Sequence, residues 1–140
     1  MKRLTIVPLV FLFTLIIVTS AGADWTPVND ETDIDYQTHD VRFFVSGKNW
    51  DVIRSQAPKM AYDYVETLTI GEDRKVLADV FKTRKTMSNK VKSAIKQNLH
   101  EDTGRSVTLD TGEITVYCTF SLKHVQTFFP DLNLPAPGDQ

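Results

Sequence analysis

The sequence is poor in the residues that build covalent or metal-linked scaffolds. It has one cysteine, which excludes a disulfide framework within the chain and any cysteine-based metal knuckle. Its six glycines form neither a GxGxxG nor a GxxxxGKS/T loop, so a phosphate-cradling turn is not expected. His39, His100 and His124 lie far apart and make no HxxxH or HExxH pair, so no metal site is expected either. A strong excess of one charge is also missing. Sixteen Lys and Arg against 18 Asp and Glu give a net charge of -2, which offers nucleic acid no electrostatic footprint. The length, 140 residues, suffices for one domain and not two. The composition that remains, 41% hydrophobic and 24% charged, is an ordinary globular mix and argues against a disordered or collagen-like chain.

What is present begins with a leader. Lys2 and Arg3 precede an apolar run from Leu4 to Val18, followed by Thr19-Ser20-Ala21-Gly22-Ala23. A short basic region, an apolar centre and a small-x-small end make a secretory signal peptide. Ala21 and Ala23 fit its cleavage pocket, leaving Asp24 as the new N-terminus. A retained membrane anchor fits as well. Thr5 to Ala23 is 19 residues, about 28 Å of helix at ~1.5 Å per residue, close to a hydrocarbon core of ~30 Å. In both cases the two leading cations stay in the cytoplasm and the rest of the chain is exported. No cysteine lies near the junction, so a lipoprotein anchor is excluded. Residues 1–23 therefore stand apart from the folded domain as signal peptide or anchor.

Past the leader the chain holds 14 basic and 18 acidic residues, a net charge of -4. Their distribution matters more than their sum. Asp24, Asp30, Glu31, Asp33, Asp35 and Asp40 are not interrupted by a cation until Arg42. Between Arg74 and Lys96 there are eight basic residues and, inside that stretch, only Asp79 opposes them. A solvated helix face explains such a run. A docking face for an acidic neighbour or for anionic headgroups also explains it, and Lys82, Arg84, Lys85, Lys90, Lys92 and Lys96 are its candidate residues.

Local patterns set the expected elements. Trp25 to Thr38 has no clear period, so residues 24–39 read as an acidic tether. Val41-Arg42-Phe43-Phe44-Val45 is β-branched and aromatic and reads as a strand. Ser46-Gly47-Lys48-Asn49 follows as a turn able to cap a helix. Trp50, Ile53, Ala57, Ala61, Tyr64 (with Val65) and Leu68 recur at helical spacing. Pro58 interrupts that stripe and is expected to kink or restart the helix. Thr69-Ile70-Gly71-Glu72 has the spacing of a capping box, with a short helix over Asp73–Phe81 after it. Thr86 or Ser88 is expected to cap a second segment bearing Met87, Val91, Ala94, Ile95 and Leu99, and Gly104 to stop it. Ile114, Val116, Cys118, Phe120 and Leu122 alternate with polar residues, which predicts a half-buried strand. Val107-Thr108-Leu109 is joined to it by an Asp110-Thr111-Gly112 turn. Pro130, Pro135 and Pro137 spell an irregular tail over residues 126–140. The order strand, helices, strands predicts an α+β domain over residues 40–125, a small mostly antiparallel sheet with helices on one face.

No constellation assembles a nucleophile, a base and an orienting group. Asp110-Thr111-Gly112 follows an apolar residue as in aspartic proteases, but Glu113 stands where they have Ser or Ala, and a like charge that close disturbs a dyad that must share one proton. Cys118 falls on the inward face of its strand and reads as a buried thiol. Tyr62, Tyr64 and Trp50 read as helix core and rim. The expectation is a non-enzyme without cofactor or metal.

Three stretches carry a resemblance. They are Asp40-Val41-Arg42-Phe43-Phe44-Val45 with Ser46-Gly47, then Gln56-Ala57-Pro58-Lys59-Met60 with Val65-Glu66-Thr67-Leu68, and then Lys92 to Leu99 with Glu101-Asp102-Thr103-Gly104 and Val116-Tyr117-Cys118-Thr119-Phe120. Together they resemble the FliL family, flagellar basal-body-associated proteins of the bacterial inner membrane, over about residues 40–122. The resemblance implies a stomatin-like periplasmic domain behind a single hydrophobic segment. It implies a non-catalytic role in flagellar rotation, with stator and motor proteins and further copies of the chain, in a ring, as partners. It places the protein in the periplasm or anchored in the inner membrane facing it, with residues 5–23 as the membrane segment. The alternative from the residues alone is a soluble periplasmic binding module with an unrelated partner.

Overall fold

Period-two alternation and helical stripes both reach their expected places in the computed structural model, which describes residues 24–138. The leader, read as signal peptide or anchor, lies outside the described residues. Among those residues no helix is long and apolar enough to cross a membrane. The protein is α+β. Its main sheet contains β1 (Trp25–Asn29), β2 (Thr32–Asp35), β3 (Asp40–Gly47), β6 (His100–Glu101), β7 (Val107–Thr108) and β8 (Ile114–Ser121). The order is β1-β2-β3-β8-β6, with β7 also on β8, and every pairing is antiparallel.

β3 and β8 form the centre. Asp40 faces Ser121 and Gly47 faces Ile114, with every residue between them in register. Val41, Phe43 and Val45 point to the same side as Phe120, Cys118 and Val116, and all six are buried. The side chains between them face the other way, where Phe44 is 39% exposed. The first face takes the helices.

Helix α1 (Trp50–Glu66) begins where Asn49 accepts the Val52 amide at 2.9 Å on its side-chain oxygen. The expected cap is therefore formed, while Ser46 and Gly47, expected in the turn, belong to β3. Gly47 is needed just before the cap, because a Cβ there would stand 2.9 Å from a Val52 methyl. Ile53, Ala57, Ala61 and Val65 are the buried stripe, and the small residues let the helix lie close to the sheet. The helix runs unbroken through Pro58, so the restart considered there does not occur. Helices α2 (Leu77–Thr83) and α3 (Lys85–Asn98) follow. Leu77, Val80, Phe81, Val91 and Ile95 join the same core.

Four expectations are corrected. Residues 24–39 are not a tether but the hairpin β1–β2, and Ile34 within it is fully buried. Asp35 closes the turn to β3, accepting the Gln37 amide at 2.9 Å and the Thr38 amide at 3.3 Å. Burial works against its charge, but these amides outweigh that and hold its carboxyl below the usual value. Thr69–Glu72 is not a capping box. Thr69–Ile70 is strand β4, Gly71 turns with φ of 77° and Arg74 with φ of 53°, and Lys75–Val76 returns as β5. Helix α3 starts without a side-chain cap, and Ser88 is buried within it. Its end at Asn98 comes before Gly104, which sits in the 3-10 turn Thr103–Arg105. Finally, residues 126–140 are not simply irregular. After α4 (Lys123–Gln126), Phe129 is buried against Phe81 with ring centroids 6.0 Å apart. Leu132–Asn133 is strand β9, which pairs with β4 in a second sheet ordered β5-β4-β9.

The hairpin and the tail should thus carry stability. Phe129→Ala should cost about 3–5 kcal/mol and Ile34→Ala about 2–5 kcal/mol, the range for truncating buried large side chains. Urea unfolding of each variant measures this, and a free tether and loose tail would leave both midpoints in place.

Candidate functional site

All six cations of the candidate interaction face, Lys82, Arg84, Lys85, Lys90, Lys92 and Lys96, are exposed. They do not form one surface. Lys82, Arg84 and Lys85 crowd the joint between α2 and α3, where Lys82 pairs with Asp79 at 3.5 Å. Along α3 the buried side is set by Ser88, Val91 and Ile95. Helical phase then puts Lys92 and Lys96 on the flank toward α1, and Lys90 on the opposite flank, in a depression shared with Phe128.

On the α1 side Lys92 and Lys96 edge an open groove of about 370 Å³ with Pro58, Lys59 and Tyr62. Tyr62 is held firmly. Its hydroxyl lies 2.6 Å from the Ser88 hydroxyl, and its ring stacks on Phe81 with centroids 5.5 Å apart. The Lys92 ammonium sits 4.9 Å from the Tyr62 ring centroid, within the range of a cation–π contact. Asp63 and Glu66 also line this groove. Past Pro58 and Lys96 it continues into a second depression of about 290 Å³ lined by Arg54 and Glu101. Arg54 donates its Nε–H to Glu101 Oε1 at 3.1 Å, while the other Glu101 oxygen is buried with no hydrogen-bond partner.

A second cluster, on the open face of the sheet, escaped the sequence reading. Arg42 donates to Asp33 Oδ2 at 2.7 Å. Its guanidinium lies 4.7 Å from the Trp25 ring centroid and 4.2 Å from that of Tyr117. Phe44 extends the row, 5.3 Å from Tyr117 between ring centroids. The alternation of residues 41–45 and 114–122 already put Arg42, Phe44 and Tyr117 on the outward side. Only the pairing of β1 with β2 brings Trp25 to them.

The remaining singled-out residues are dispersed. Asp110, Thr111, Gly112 and Glu113 are exposed in the turn between β7 and β8, with Gly112 at φ of 87°. His39 adopts a left-handed backbone, φ of 61°, in the β2–β3 turn, and His124 lies 5.6 Å from the Phe120 ring. Among the described residues no group of three or more His, Cys, Asp or Glu is placed to hold a metal ion. Chemically, then, the surface offers fixed cations beside an aromatic ring in a groove, an arrangement suited to holding anionic groups.

Cys118 is fully buried on the inner face of β8. Burial, with a smaller contribution from the Glu101 charge, pushes its thiol up to about 11. A thiol raised above its unfolded value of 9.0 favours the folded state below that value and loses its contribution as pH rises to about 11. The alkaline fall in unfolding free energy between these pH values should therefore be steeper in the wild type than in Cys118→Ala, as read by urea midpoints across the range. Native labelling by thiol reagents at neutral pH should be slow and become complete in denaturant.

No family model matches this chain, and neither a curated protein nor a solved structure matches it.

Proposed function

We propose that this protein is an exported, non-catalytic accessory of a bacterial flagellar basal body that supports motor rotation beside the stator, facing the periplasm. The reading comes from the resemblance to the FliL family. The observation that supports it is positional. The stretches bearing the resemblance are far apart in sequence but adjoin in the fold. Asp40–Val45 and Val116–Phe120 lie in the paired central strands. Gln56–Met60 lies within α1 and Val65–Leu68 crosses its C-terminal end, and Lys92–Leu99 covers the end of α3. The resemblance thus traces one contiguous scaffold and not scattered surface segments.

In this reading the domain is stomatin-like and residues 5–23 are its membrane segment. It acts through repeated weak contacts with stator and motor proteins and with further copies of itself in a ring, where multivalency supplies affinity. Neither cofactor nor nucleic acid takes part.

Deleting residues 24–140 should impair swimming and swarming while filaments still assemble, with a defect that grows with load. A support around the stator affects torque and retention of units, not export of filament subunits. Lys90→Glu with Lys92→Glu should reproduce part of the defect without unfolding the domain, because exposed charges contribute only about 0–1 kcal/mol to stability. Normal swimming and load response in the deletion strain would reject the flagellar role and leave the periplasmic binding module. Loss of filaments altogether would also reject it, by moving the protein into assembly.

A further inference from the structure

We propose that the groove between α1 and α3 is a docking site for an extended acidic peptide segment, and this holds whether or not the flagellar reading does. Helix α3 carries Lys85, Lys90, Lys92 and Lys96 and no acidic residue from Lys85 to Asn98. Lys92 and Lys96, one turn apart, line the groove together with Lys59 of α1. None of these three lysines forms an ion pair among the described residues. The cations are therefore gathered along one concave strip without a direct ion pair, and they outnumber the two carboxylates, Asp63 and Glu66, that share it.

The floor is not charged. Pro58 and Tyr62 provide apolar surface, and Tyr62 is locked between Ser88 and Phe81. A surface already fixed loses little side-chain freedom on binding. Pro58 adds a backbone feature. It has no amide to give the Arg54 carbonyl, so that carbonyl lacks its helical donor.

Length and polarity define the occupant. From Arg54 to Glu66 the helix advances about 18 Å at ~1.5 Å per residue, which matches five or six residues of extended chain at ~3.3 Å each. Carboxylates of such a segment meet Lys59, Lys92 and Lys96, and an apolar side chain between them rests on Pro58 and Tyr62. Asp63 and Glu66 favour a basic or neutral residue at that end. A membrane surface is flat and does not reach the floor of a concave strip. A polyphosphate carries charge at every unit and would meet Asp63, Glu66 and Glu101, whereas a peptide can set a neutral or basic residue against them. An acidic linear segment satisfies all these features together.

The test is fluorescence anisotropy of the full chain with a labelled hexapeptide, Lys-Glu-Phe-Glu-Leu-Glu, and with the same peptide carrying Gln for each Glu. The Glu peptide should bind at least about tenfold more tightly, a difference of ~1.4 kcal/mol, and more weakly as salt rises from about 50 to about 300 mM. Lys92→Gln with Lys96→Gln should weaken it at least about tenfold. Lys85→Gln with Lys90→Gln makes the same charge change outside the groove and should weaken it by less than about threefold. Circular dichroism should be unchanged in both double variants. Equal binding of the Glu and Gln peptides overturns the proposal. So does equal weakening by the two double variants, which would show attraction to the whole helix and no groove. Binding of the soluble anionic lipid dihexanoylphosphatidylglycerol without binding of the peptide overturns it in favour of a headgroup site.

Discussion

The antiparallel pairing of β3 with β8 joins residues 67 to 81 positions apart and sets the orientation of nearly everything else. Its unbroken register, Asp40 against Ser121 through Gly47 against Ile114, lines up two inward rows of buried side chains. A slip of one residue would carry Phe43 of β3, or Cys118 and Phe120 of β8, to the open side and bring Arg42 or Tyr117 beneath the helices. The outer strands hang on this pair, β2 with β1 on one side and the short β6 and β7 on the other. Both edges are poor templates for further pairing. β1 carries Pro27 and a bulge, and β6 and β7 contribute two residues each. Short or irregular edges of this kind discourage sheet-to-sheet association.

How much of this the sequence shows depends on whether a signal is local. β8 is legible because its alternation is complete from Ile114 to Leu122. α1 is legible because Ile53, Ala57, Ala61 and Val65 make a helical stripe that Pro58 does not break. The β1–β2 hairpin is not legible, because its segments hold one proline and several acids and their one fully buried apolar residue, Ile34, has its partners elsewhere in the chain. Thr69–Glu72 misleads for another reason. The capping spacing is present, but Gly71 and Arg74 adopt left-handed backbone and the hydrogen bonds of the segment go to Asp131 and Asn133. The tail misleads because its prolines advertise irregularity while Phe129 and Leu132 do the packing.

The candidate site follows the same division. Six cations are visible in composition, yet composition cannot say that Lys92 and Lys96 share a groove while Lys90 faces away. That separation comes from helical phase fixed by Ser88, Val91 and Ile95. The Trp25–Arg42–Tyr117 cluster needs strand register as well, since its three members come from three strands. The two faces of the domain are thereby chemically unlike: one offers ammonium groups beside an aromatic ring in a helical groove, the other a planar guanidinium held between rings and neutralised by Asp33.

The placement of β8 and β9 so late in the chain has a consequence for how the protein comes into being. During synthesis the β1–β2–β3 sheet waits without its central neighbour, and α1 waits with half of its floor missing, until residue 121 has been made. Phe129 and Leu132 come later still, and with them the patch that closes over Phe81 and β4. Local contacts form early at small entropic cost, whereas these distant ones require closure of nearly the entire loop. Val41, Phe43 and Val45 therefore stay without their neighbours Phe120, Cys118 and Val116 until β8 has been made, and no segment before Ile114 completes the core by itself.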